Sequence, residues 1–275
     1  MTIDPQQASR VRCRAIAESD LDGLAVLLTR GFSRSTKRYW TDGFARWKNF
    51  PIIEGVPRFG YVLDGGFGPV GVILLISSRR GEQIISNLSS WYVEPQWRTH
   101  STLLISMATK LKHVTYLNAS PAPHTWRTLQ AQSFKPYNFG RSIVFGLPGR
   151  GTVSDVIPDG LPEAQLLRDH RDLGMTALVV ERDGIVSPFV FKPRHLDMPP
   201  VKVMDVMFCR GPEDFRRCLP ALSRHFLPRS LGFLIDGDMP GPLSHYAQGK
   251  EPRYFKGPYR PVLGDLAYTE KVLFG

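Results

Sequence analysis

Residues 84–119, IISNLSSWYVEPQWRTHSTLLISMATKLKHVTYLNA, read as a strand, a proline-bearing turn, a helix and a second strand, and the same order returns in residues 202–238. Apolar runs mark the strands and an apolar stripe at helical spacing lies between them. Pro95 meets Pro212, Tyr116 meets Phe233 and, upstream, Tyr61 meets Leu178, each 117 positions on with no gap. A repeat this long implies duplicated domains, not a solenoid. A chain of 275 residues has room for two such halves.

The turn of the first copy carries the chemistry. Glu94-Pro95-Gln96-Trp97-Arg98-Thr99-His100-Ser101 leads into a helix, whose unpaired N–H groups and positive dipole end attract an anion, most simply a phosphate. The whole chain leans the same way, because 35 Lys and Arg against 25 Asp and Glu give a formal charge of +10. That surplus suits nucleic acid, an anionic membrane or a phosphate-bearing cofactor alike. No nucleic-acid-binding motif accompanies it, so nucleic acid ranks last. A hydrophobic fraction of 42% and an aromatic fraction of 11% exclude a disordered chain. The longest apolar run, Val70–Ile76, falls short of the roughly 20 residues that span a bilayer. The start, MTIDPQQASR, has no apolar signal core, and a cytoplasmic protein is expected. Cys13, Cys209 and Cys218 are too few and too irregular for a disulfide framework or a zinc site, and no metal is expected.

Along the chain, Val11–Ile16 reads as a strand and Leu21–Arg30 as a helix, followed by a basic, aromatic helix from about Lys37 to Lys48. A hairpin follows, Tyr61–Leu63 with Val70–Ile76 around a glycine-rich turn. Past the first copy, Pro121 and Pro123 precede a short helix at about 125–132, and Ser142–Phe145 reads as a strand. Residues 147–162 gather Gly, Pro and polar residues and are the expected linker between an N-terminal domain, 1–146, and a C-terminal one, 163–275. The second half repeats the order: a helix near Glu163–Leu173, a hairpin of Ala177–Glu181 with Ser187–Phe191, and the second copy. Tyr254–Lys256 and Ala267–Phe274 read as closing strands. The fold class is α/β in the broad sense: two tandem domains, each a mixed, mostly antiparallel sheet flanked by helices.

This order and its landmarks resemble the GNAT superfamily of acyl-CoA-dependent acyltransferases. In that family a strand ending in V-x-P leads into an R/Q-x-x-G-x-G/A turn whose amides hold the pyrophosphate of coenzyme A. Val93-Glu94-Pro95 and Arg98 stand in register, while Ser101 and Leu103 occupy the places of the two glycines. Phe134 matches the end of the family's aromatic-x-x-x-Gly-Phe helix, Ser133 replaces its glycine, and Leu129 stands where a tyrosine often protonates the leaving thiolate. The second copy keeps only the order of elements. Its Arg210-Gly211-Pro212-Glu213-Asp214 puts two carboxylates where a phosphate should sit, so that half is expected to be structural or to close a cleft.

The resemblance implies coenzyme A or an acyl-CoA as donor, bound by Tyr92, Val93, Arg98, Thr99, His100, Ser101, Thr102 and Asn118. Backbone N–H groups of Trp91 to Val93 would polarise the thioester carbonyl. Ser86, Asn87, Ser89 and Ser90 line the strand where the family often carries a glutamate, so that strand offers no carboxylate base. His124 or His100 is left to take a proton near neutral pH, and His124, Ser89 and Trp91 form the expected catalytic set. Tyr39, Trp40, Trp47 and Trp126 are the residues expected around an acceptor. A small-molecule amine or hydroxyl compound is the expected acceptor, and the basic aromatic helix fits peripheral contact with an anionic membrane. The competing reading is a non-catalytic tandem module that binds a ligand or partner.

Overall fold

The computed structural model describes residues 11–197, 200–227 and 229–274. The chain divides into two compact units, one formed by 1–135, 253–260 and 268–275, the other by 136–252 and 261–267.

In the first unit, β1 (Arg12–Ala15) is followed by α1 (Leu21–Gly31), α2 (Lys37–Trp47), β2 (Gly60–Asp64), β3 (Pro69–Arg80) and β4 (Gln83–Val93). A 3₁₀ turn at Pro95–His100 then enters α3 (Ser101–Ala108), β5 (Val114–Asn118) and α4 (Trp126–Ala131). The strands lie in the order β1 to β5, and Tyr254–Lys256 pairs antiparallel with the far side of β5. All described pairs here are antiparallel except β4 with β5. Alternation along β3 and β4 sends Ile73, Leu75, Leu88 and Val93 into a core closed by Leu104, Ile105 and Trp97. On α1, the buried positions Leu21, Leu24, Ala25, Leu27 and Leu28 recur at helical spacing. The start of α2 is fixed by Thr36, whose hydroxyl accepts from the Tyr39 N–H at 3.2 Å.

The second unit begins with β6 (Lys135–Val144, in this unit from Pro136) and β7 (Thr152–Ser154), then α5 (Ala164–Asp172), β8 (Thr176–Arg182), β9 (Ile185–Asp197) and β10 (Pro200–Phe208). After α6 (Pro212–Phe226) come β11 (Gly232–Asp236) and β12 (Ser244–Lys256), and the strand order is β12-β6-β11-β10-β9-β8-β7. Its core gathers Phe189, Phe191, Phe215, Phe226 and Phe233. The stretch 147–162, expected as the linker, lies inside this unit, and the chain changes unit between Lys135 and Pro136. Composition marks turns, whereas contacts define units: Thr152–Ser154 pairs with β8, and the Gly149 N–H donates to the Pro220 carbonyl at 2.9 Å.

The repeat is visible in the strand registers. Leu75 faces Leu88 in the first unit, and Lys192 faces Asp205 in the second, both 117 positions on. Each of these strands then carries a β-bulge, between Ser89 and Tyr92 in β4 and at Met207 in β10. The parallel strand slips by one residue: Ser86 stands opposite Tyr116, but Met204 and not Val203 stands opposite Phe233.

The last described residues return to the first unit as α7 (Glu270–Leu273). Ala267–Phe274 is therefore no strand. Its apolar residues Val272, Leu273 and Phe274 are buried by a helical turn, and the Phe274 ring lies 5.3 Å from that of Trp40 and 5.9 Å from that of Phe44.

Candidate functional site

β4 and β5 run together from Ile84 beside Val114 to Asn87 beside Leu117, and there the pairing stops. β5 ends one residue later, while β4 continues to Val93. On its other side β4 keeps its partner, with a bulge that sets Leu74 opposite Ser89 and Val72 opposite Tyr92. Ser90 takes the extra residue's place with φ 50°, a left-handed conformation that turns the strand. From Ser89 to Val93, backbone groups that would have met β5 open on a cleft instead.

That cleft has a volume of about 400 Å³ and is lined by Trp91, Tyr92, Val93, Arg98, Ser101, His124, Thr125 and Thr128. One wall is the bulged strand, the next is the turn into α3, and the third is the segment leading into α4. Trp97, 2% exposed, pins the turn to the core. The turn is tighter than its sequence suggests, because the N–H groups of Trp97 and Ser101 already donate to the carbonyls of Glu94 and Arg98. What faces the cleft is the exposed Arg98, the half-buried Ser101 and the N-terminal end of α3. Glu94, the acid nearest the turn, is neutralised by an ion pair with Arg30 and accepts from Gln96 at 3.1 Å. Leu103, the bulky residue in a glycine's place, is 42% exposed and does not line the cleft.

Six of the residues singled out in sequence thus come together: Trp91, Tyr92, Val93, Arg98, Ser101 and His124. Thr99 on the turn and Thr102 at the start of α3 are exposed, and the Thr99 hydroxyl meets His100 Nδ1 at 3.2 Å, outside the cleft lining. Ser89 is buried, its hydroxyl 3.0 Å from that of Ser90. Asn118 is buried in β5 beside Tyr254. Trp40 and Trp47 are 3% and 2% exposed and hold α2 down through their rings, which gives them no surface for an acceptor. Trp126 is half-buried with its indole N–H on the Pro121 carbonyl at 3.2 Å, and of the four aromatic residues only Tyr39 is exposed. Leu129 is fully buried, so its position points into the core and away from any leaving group. Ser133 adopts φ 65°, the conformation for which a glycine would be suited.

The basic face of α2 is largely met by acids: Lys37 by Asp22 at 2.7 Å, Arg38 by Asp42 at 3.5 Å and Lys48, at the end of the helix, by Glu18 at 3.5 Å. Among the described residues no helix is long and apolar enough to cross a membrane, and no cluster of His, Cys, Asp or Glu is arranged to hold a metal. Burial raises the thiols of Cys13 and Cys218 and pushes that of Cys209 up to about 12.

Sequence reasoning missed Thr125 and Thr128, small hydroxyl residues on a loop and a short helix with no pattern to mark them. It also missed a carboxylate beside β4. Glu270 on α7 accepts from Asn87 Nδ2 at 2.5 Å and from the Ser120 hydroxyl. No local signal could show it, since 183 positions separate Glu270 from Asn87.

The second unit answers the same geometry differently. Along the bulge of β10 lies the chain's own segment 262–266: the Cys209 N–H donates to the Gly264 carbonyl at 3.0 Å and the Leu266 N–H to the Met207 carbonyl at 2.8 Å. At the start of α6, Glu213 and Asp214 occupy the first turn, and Asp214 is tied to Ser187 at 2.9 Å and to Arg217. Arg210 is held by both oxygens of Glu163 at 2.8 Å.

No family model matches the sequence, and no curated protein matches it either. Solved structures do. A GCN5-related N-acetyltransferase from Anabaena variabilis aligns over 90% of this chain and 72% of its own, with a TM-score of 0.59 and 10% identity. A candidate acetyltransferase from Pyrococcus horikoshii aligns over 94% of this chain and 95% of its own, with a TM-score of 0.55 and 12% identity. Eis1 from Mycobacterium abscessus aligns over 90% and 73%, with a TM-score of 0.50 and 10% identity. The chain has the fold of the GCN5-related N-acetyltransferases.

Proposed function

We propose that this protein transfers an acyl group from an acyl-CoA to an amine or hydroxyl acceptor, with the first unit holding the donor. The observation that carries this reading is the parting of β4 from β5 beside the α3 turn, which puts unpaired backbone groups, a cation and a helix start around one open cleft. The residues fit a nucleotide thioester. Arg98 and the Ser101 hydroxyl would hold the diphosphate at the positive end of α3, with Thr99, His100 and Thr102 on the outer side of the same turn. The acyl thioester would lie along Trp91–Val93, where a backbone N–H donates to the carbonyl oxygen as negative charge grows on it.

In the transfer the acceptor's lone pair forms a bond to the carbonyl carbon, the carbon–sulfur bond breaks and the sulfur leaves as a thiolate. The acceptor's proton must leave and the thiolate must gain one. His124, exposed on the cleft wall, is the titratable side chain placed to carry it. Ser89 and Asn118, both buried, would shape the strands behind the donor. A cytoplasmic location supplies acyl-CoA, and a small molecule is the acceptor this cleft would serve.

Thermal unfolding with acetyl-CoA and longer acyl-CoAs tests the donor. A ligand at 100 times its Kd stabilises by about 2.7 kcal/mol, and each kcal/mol raises the Tm of a domain this size by about 2–4 °C. The wild type should shift and Arg98→Glu should not. Absence of any shift with every acyl-CoA would end the assignment.

A further inference from the structure

Glu270 is a charge without a counter-charge. Its carboxylate is held by two neutral donors, Asn87 Nδ2 and the Ser120 hydroxyl, and it has no ion pair among the described residues. A carboxylate accepts more bonds than two, so capacity remains for a cationic donor. Asn87 sharpens the case. Its side chain is 1% exposed, its amide nitrogen is committed to Glu270, and its Oδ1 is buried with no hydrogen-bond partner among the described residues. It is one of eleven such atoms among the described residues, and this one belongs to an amide that is bonded to a carboxylate. Of this pair the carboxylate is the half-buried member, and the acceptor capacity it keeps calls for a cationic N–H donor.

A cation stands close by. Arg46 on α2 donates Nη1 to the Leu273 carbonyl at 2.9 Å, one helical turn along α7 from Glu270, and its remaining N–H groups have no partner among the described residues. Tyr39 feels both charges: burial and the Glu270 carboxylate push its phenol up, while Arg46 pulls it back. The Tyr39 ring is 38% exposed, 5.0 Å from Trp40 and 6.0 Å from Phe274. This patch is joined to the cleft by packed rings, since Trp40 lies 5.5 Å from Phe32 and Phe32 lies 6.4 Å from Tyr92 on the cleft wall. Asn87 and Tyr92 also share β4, where the strand leaves β5.

Resting on the acyltransferase reading, we propose that Glu270, Asn87, Tyr39 and Arg46 form the acceptor subsite and that the acceptor is zwitterionic. Its ammonium group sits on Glu270, which the Asn87 amide holds in place, and its anionic group sits on the Arg46 guanidinium. The class this describes is the free amino acid or a close relative, in contrast to an alcohol or a simple amine.

The test uses the full chain, acetyl-CoA, a panel of the twenty L-amino acids and the matching decarboxylated amines, read by thiol release and by calorimetric titration without acetyl-CoA. One or more amino acids should bind and be acylated at least roughly tenfold better than the matching amine, the worth of one charge-assisted contact. Arg46→Gln, which can still donate to Leu273, should raise KM for the amino acid and leave the amine unchanged. Glu270→Gln should weaken both. Equal use of amines and amino acids, an Arg46→Gln effect shared by both, or no binding across the panel would overturn the subsite. Both variants should keep the wild-type acetyl-CoA thermal shift, which shows that they fold. A wild type that lacks that shift but binds an amino acid in an Arg46-dependent way would overturn the donor site and uphold this one.

Discussion

β4 and β10 are the same strand written twice, with the same pairing to the strand before them and a bulge at matching positions. They differ in what lies along the bulge. Beside β4 there is a cleft of about 400 Å³ with Arg98 on its wall. Beside β10 there is chain, Gly264 and Leu266 bonding the strand directly. The helix starts diverge in step: Arg98 and Ser101 enter α3, whereas Glu213 and Asp214 fill the first turn of α6. A bulge by itself is a scaffold. It becomes a binding site when its backbone groups are left for a ligand, and a structural joint when the protein bonds them itself.

The plug in the second unit can be broken directly. Gly264 has φ 92°, and a side chain there would run into Cys209. Gly264→Val should therefore destabilise by about 2–5 kcal/mol through backbone strain and overpacking together, measured by urea unfolding, while the acetyl-CoA shift of the first unit persists. A loss of that shift with the fold intact would show that the two units do not act separately. Next in size is Gly31→Ala at the end of α1. Helix propensity alone predicts a gain of up to about 1 kcal/mol. The new methyl would, however, meet the Tyr92 ring on the cleft wall, so the expected result is a loss of about 1–3 kcal/mol and weaker acetyl-CoA binding. Stabilisation would place Tyr92 elsewhere.

Ser133→Gly should act in the other direction, relieving a left-handed serine for a gain of about 0.5–1 kcal/mol, with acetyl-CoA binding unchanged. The smallest effect is chemical. Cys209 is fully buried under the plug with its thiol pushed up to about 12, so iodoacetamide at pH 8 should spare it in the folded chain and reach the partly exposed Cys13 first. Prompt labelling of Cys209 would mean that the plug opens readily.

Much of the first unit was legible. Apolar alternation placed its strands, turn chemistry placed the hairpin and the entry to α3, and six of the proposed site residues meet in one cleft. The failures share a cause. Trp40 and Trp47 read as a surface because they sit among Arg and Lys, yet α2 turns the rings inward and the charges outward. Residues 267–274 read as a strand because five apolar residues in eight fit either period, and only the packing of Phe274 against α2 selects a helix. The linker was misplaced because glycine and proline mark bends, whereas a unit is bounded by where contacts thin.

The sequence by itself determined the duplicated order of strands and helices, the proline that opens the helical segment after each bulged strand and the charge at each helix start, because these depend on neighbours within a few residues. Tertiary structure alone decided that β5 departs from β4, that residues 262–266 fill the second bulge, and that Glu270 arrives beside Asn87. Those outcomes join residues far apart in the chain. Their free energy comes from closing long loops and packing specific surfaces, which no local pattern records.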